Sequence, residues 1–114
     1  MVTVEDVRAL ASSLPRTEEH LVRDQVKFRI GRLVYLALSR DETTLGLAFP
    51  KEHRAGLVAA EPHKFQLPRE SDLRFNWVHA KLSELDAGEL EELVVNAWTM
   101  CVPKKVSAAY LGGQ

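Results

Sequence analysis

Apolar residues recur along this chain with two different periods, and the points where the period changes divide it into elements. Val4, Val7, Leu10, Ala11 and Leu14 are spaced as one face of a helix, which Pro15 ends. Thr3 stands at its N-cap with Asp6 three positions on, and Val2 and Val7 are placed as a hydrophobic staple. The period then falls to two. Val26, Phe28 and Ile30 alternate with Gln25, Lys27 and Arg29, as in a strand with one buried face. Gly31-Arg32 suits a two-residue hairpin turn with glycine at the position that needs a positive φ. Leu33 to Leu38 is apolar on both parities and reads as a central strand. Arg40-Asp41-Glu42 makes a second turn, after which Leu45, Leu47 and Phe49 share one strand face. Glu18 to Val22 admits a further short strand.

Pro50 is suited to the first helical position, and Lys51 to Ala60 permits a helix until Pro62. Lys64 to Leu67 can form a short strand, and Phe75 to Leu82 alternates cleanly again. The last helix is the best signalled: Asp86 and Glu89 are a capping pair, and Leu85 and Leu90 a staple. Leu90, Leu93, Val94, Ala97, Trp98, Cys101 and Val102 follow as one stripe until Pro103, and the Gly112-Gly113 end is expected to fray. The order α-β-β-β-α-β-β-α implies an α+β domain, an antiparallel sheet with helices packed on one face. Its expected core sets Leu90, Leu93, Val94, Ala97 and Trp98 on Val26, Phe28, Ile30, Leu36, Leu45, Leu47 and Val78.

At 114 residues and 46% hydrophobic, the chain suits one domain spanning residues 1–114 and able to form a core without a disulfide or metal. Its single cysteine excludes an internal disulfide and a zinc site built mainly from thiolates. The opening MVTVEDVRAL lacks the basic stretch and apolar run of a secretory signal, and no run reaches a membrane span, so a soluble, cytoplasmic protein with no membrane partner is expected. The chain has no Gly-rich phosphate loop and no G-x-S-x-G elbow, and His20, His53, His63 and His79 lack metal-ligand spacing. No cofactor, metal or enzymatic activity is expected. Cys101, on the stripe of the last helix, reads as a core thiol rather than a nucleophile.

The formal net charge of −1 conceals an uneven distribution. Arg23, Lys27, Arg29 and Arg32 face only Asp24 within residues 23–32, whereas Glu84, Asp86, Glu89, Glu91 and Glu92 make the last helix acidic. Strand parity directs Lys27 and Arg29 away from the helices, together with Phe75, Trp77, His79 and Lys81. Rings and cations on an open sheet are what single-stranded nucleic acid uses, stacking on the rings and meeting the cations with phosphate. The alternative is a Trp77 covered by the tail from Lys104 to Leu111 through Val106, Ala109 and Tyr110, and the covered ring is the expectation.

The helix ending in Leu14-Pro15, the Lys27-Phe28-Arg29-Ile30-Gly31 hairpin and the apolar strand after it form a recognisable series. It continues with Asn76-Trp77-Val78 and closes on Leu85-Asp86, Glu89-Leu90 and Leu93. In this order they resemble the MmcQ/YjbR-like family of small bacterial proteins over nearly the whole chain. The resemblance implies a two-layer fold of the type shared with secretion chaperones and, more loosely, with frataxin-like proteins, without transferring iron chemistry. It also implies DNA binding through paired hairpin wings. One wing would be the Gly31-Arg32 turn with Lys27 and Arg29; the other would be the turn at Arg40, where Asp41 and Glu42 would repel phosphate. Two functions are carried forward: weak, low-specificity nucleic-acid binding through Lys27, Arg29, Arg32, Trp77, His79 and Lys81, and a protein-interaction adaptor using the same sheet face.

Overall fold

Thr3 and Asp6 satisfy each other's backbone at the start of α1 (Val4–Ser12). The Thr3 hydroxyl accepts from the Asp6 amide at 3.4 Å, and the Asp6 carboxylate accepts from the Thr3 amide at 2.8 Å. The computed structural model to which this helix belongs describes residues 2–112. Four strands follow: β1 (Thr17–Val22), β2 (Gln25–Ile30), β3 (Leu33–Leu38) and β4 (Thr44–Ala48). After α2 (Lys51–Ala60) come β5 (Phe65–Gln66), β6 (Trp77–Lys81), α3 (Ala87–Thr99) and α4 (Lys104–Gly112). The strands form one antiparallel sheet in the order β1-β2-β3-β4-β6-β5.

The α+β reading therefore holds, with one strand and one helix more than the α-β-β-β-α-β-β-α order. The added strand is the Glu18–Val22 segment, joined to β2 by Arg23-Asp24, both at positive φ (50° and 67°), the twist that tight hairpins favour. Gly31 takes φ +59° in the β2–β3 turn, as its position demands. The added helix is the tail. α3 stops at Thr99 with Met100 as its C-cap, so Cys101 and Val102 lie beyond it, and Pro103 starts another helix, its carbonyl accepting from Val106 and Ser107. Gly112 closes α4, and Gly113 lies outside the described residues.

α3 and α1 cover one face of the sheet. Phe28, Leu36, Leu45, Leu47 and Val78 are fully buried there against Val94, Ala97 and Trp98 of α3 and Val7 and Ala11 of α1. Each large side chain contributes ~1.5–3 kcal/mol by leaving water, which is ample to decide which face of every strand turns inward. The Trp98 indole N–H donates to the Pro15 carbonyl at 2.9 Å, tying α3 to the segment after α1. Val26, Leu93 and Cys101 depart from the expected core, being only partly buried at its margin. Pro50 is the N-cap of α2 rather than its first helical residue, and Phe75 precedes β6 instead of lying on it.

Candidate functional site

The face opposite α3 carries a row of residues set by strand register. Lys27 pairs with Ala37, Ala37 with Gly46 and Gly46 with His79, so these four lie across β2, β3, β4 and β6 in line. Three interstrand steps separate Lys27 from His79, about 14 Å along the sheet. Between them only a methyl group and a hydrogen project. The row is a shallow trench with a small-residue floor.

Trp77 pairs with Ala48, two residues along, and its indole crosses β4 to rest on Gly46. A Cβ at position 46 would lie 2.7 Å from the Trp77 Nε1, so glycine is required by the approach of the ring. Trp77 is thereby half-buried by the sheet itself. The tail does not cover it: Tyr110 of α4 packs edge-on against Trp98, ring centroids 5.1 Å apart, in the helical layer. The expected cap is thus on the wrong side of the sheet, because α4 finds its apolar partner on α3.

Asn76-Trp77-Val78 does three jobs in three successive residues. The Asn76 side-chain oxygen accepts from the Lys51 amide at 3.1 Å, capping α2; Trp77 lies in the trench; Val78 enters the core. The loop before them is held by Arg54 of α2, whose buried guanidinium donates to the carbonyls of Phe75 (2.7 Å), Trp77 (3.2 Å) and Leu73. Among the described residues three carbonyls and no carboxylate receive this charge, so its role is to fix the path of residues 73–77. Arg74 lies over the Phe75 ring at 4.8 Å.

Two depressions flank the Trp77 indole. The first, about 540 Å³, is lined by Leu33, Val34, Phe75 and Met100 with Ala37 and Ala48 beneath. The second, about 400 Å³, is polar, with Gln25, Ser39, Thr44, Arg69 and His79 among its walls. Lys27, Ala37, Asp72 and Trp77 line both. Burial pushes the His79 imidazole below its ordinary pKa, opposed by Asp72 and assisted by Arg69. Burial also raises the Cys101 thiol at the rim of the first depression, which keeps it protonated at neutral pH. No group of three or more His, Cys, Asp or Glu among the described residues is placed to hold a metal ion.

Of the residues read from sequence, the structure brings Lys27, Trp77 and His79 together on this face. Arg29 lies one register step away, opposite Val34 and Glu18, with its Nε buried and without a hydrogen-bond partner. Arg32 is exposed on the β2–β3 turn and Lys81 is exposed opposite Thr44; neither lines a depression. At the Arg40 turn, the Asp41 carboxylate accepts from the Ser39 and Thr43 hydroxyls at 2.6 and 2.8 Å, which holds it below the usual carboxylate range. That loop keeps a fixed negative charge.

Of the apolar wall, the sequence reading places Phe75 on this face but not Leu33, Val34 or Met100. Leu33 and Val34 read there as central strand, but the register shifts between Phe28 and Arg29, and Tyr35 is the extra residue. Tyr35 turns inward, fully buried with its hydroxyl 2.7 Å from that of Thr17, and leaves the two residues before it at the surface. Arg54 gives no signal in a helix-permissive stretch, because its partners are main-chain carbonyls.

The YjbR family model matches residues 12–100 of the chain. The chain also superposes on the crystal structure of the Deinococcus radiodurans protein DR2400, described by the domain family DUF419. The TM-score is 0.78 over 98% of this chain and 89% of that one, at 24% sequence identity, so the two share a fold. A search of curated proteins gives no match.

Proposed function

Since the chain belongs to the YjbR family, we propose from the geometry of its open sheet face that it is a non-enzymatic protein-interaction module binding a partner at the Trp77 trench. One observation carries this reading. Leu33 (56% exposed), Val34 (36%), Phe75 (50%) and Met100 (40%) gather around a single depression beside the half-buried Trp77 indole. Large apolar side chains held at the surface by a strand bulge and a clamped loop are costly unless a partner covers them. Cations are too few on this face to make phosphate the main attraction: among the described residues Lys27 is the one cation lining both depressions, and Glu18 stands beside Arg29.

A second reading, nucleic-acid binding, is favoured by one specific feature. Among the described residues Lys27, Arg29 and Arg32 of the β2–β3 hairpin make no ion pair, leaving three charges for an anionic chain. Selection of short random peptides displayed on phage, run beside titration of labelled oligothymidylate, separates the two. The module reading expects peptides that bind wild type and lose binding to Phe75→Asp, with oligothymidylate weak and lost on adding salt. Tight oligothymidylate binding with no peptide selected would overturn it.

A further inference from the structure

The two depressions share Lys27, and the hydrogen bonds around them settle which polar groups are free to meet a ligand. The Gln25 side-chain amide donates to the Leu38 carbonyl at 3.4 Å, and the Ser39 hydroxyl donates to Asp41. Arg69 reaches Asp72 at 3.5 Å, so that carboxylate is paired with Arg69 rather than with Lys27. Among the described residues Lys27 makes neither an ion pair nor a side-chain hydrogen bond, although it stands at the junction of an apolar and a polar cavity. Its ammonium is an unengaged charge set beside exposed leucine, valine, phenylalanine and methionine side chains.

From this juxtaposition we infer that the trench takes a protein segment in which an acidic residue adjoins a large apolar one. The apolar side chain enters the depression bounded by Leu33, Val34, Phe75 and Met100, and the carboxylate meets Lys27. The inference rests on the interaction-module reading and specifies its partner. Size and charge both support this occupant. A depression of about 540 Å³ falls within the ordinary range for a bound group and accommodates one large side chain with its backbone. A basic or neutral partner would leave the Lys27 charge unmatched at the edge of a desolvated contact, whereas a carboxylate pairs it and fixes the direction in which the segment lies.

Two fluorescein-labelled peptides that differ only in Glu or Lys beside a phenylalanine test this by anisotropy against wild type and Lys27→Glu. Wild type is expected to bind the Glu peptide about fivefold more tightly than the Lys peptide, the equivalent of one well-placed ion pair at a partly exposed site. The preference should reverse in Lys27→Glu and shrink in high salt. A matching thermal melt of Lys27→Glu shows that the reversal is not unfolding. Equal binding of the two peptides to wild type, or a Glu preference that survives Lys27→Glu, overturns the inference while leaving the module reading in place. Absence of binding by both peptides and by every displayed peptide removes that reading as well. Oligothymidylate displacing the Glu peptide through Lys27 would assign the site to nucleic acid instead.

Discussion

The two tryptophans occupy opposite faces of one sheet and are held by opposite means. Trp98 sits in the helical layer, fully buried, with its indole N–H satisfied by the Pro15 carbonyl and Tyr110 against its edge. Trp77 lies on the open face, half-buried by the absence of a side chain at Gly46 and by a loop that Arg54 fixes. On the first face, the large side chains of the sheet and helices bury one another. On the second, small residues, a clamped loop and a strand bulge keep large apolar groups at the surface. The contrast shows where this fold invests order without obtaining burial in return, and that is the face on which a partner belongs.

The largest expected effect breaks the helical side. Trp98→Ala should cost ~3–5 kcal/mol of unfolding free energy, enough to leave a small domain marginal in urea denaturation. Arg54→Leu comes next, at about 1–3 kcal/mol, because three part-buried carbonyls lose their donor. Its distinguishing mark is local: hydrogen exchange should accelerate at residues 73–77 more than in α3. Trp77→Ala should cost less, about 1–2 kcal/mol, since part of the ring is in water already. Equal destabilisation by the two tryptophan variants would erase the distinction between the faces.

The smallest effect concerns the bulge. Burial pushes the Tyr35 hydroxyl up to about 12, Thr17 opposing through its hydrogen bond and Cys101 adding to the rise. A tyrosine near pKa 10 in the unfolded chain ionises there first, so this contribution is complete below pH 10 and declines as pH rises from 10 to about 12. Tyr35→Phe should cost about 0.5–1.5 kcal/mol at neutral pH and flatten that part of the alkaline limb in a pH series of melts.

The helical face is legible because alternation is an unambiguous code when one side is buried. Phe28, Leu45, Leu47 and Val78 fall where period two puts them, and the Asp86–Glu89 capping box marks the start of α3 by chemistry alone. Lys27, Trp77 and His79 are legible as a set for the same reason, by parity. What escapes is tertiary. The Tyr35 bulge changes the register of β3 without changing its composition, so Leu33 and Val34 look buried and are exposed. Trp77 calls for a cover that the sequence reading seeks in the tail, while Gly46, thirty-one positions earlier, supplies the space instead. Arg54 satisfies carbonyls, and carbonyls have no letter in the sequence.

Backbone amide shifts of the isotope-labelled protein, followed by NMR as a phenylalanine–glutamate peptide is added, test the central claim most directly. The account predicts perturbations concentrated at Lys27, Val34, Ala37, Gly46, Phe75 and Trp77, with α1 and the buried side of α3 unmoved. Shifts gathered on the helical layer, or none at any peptide concentration, would contradict it.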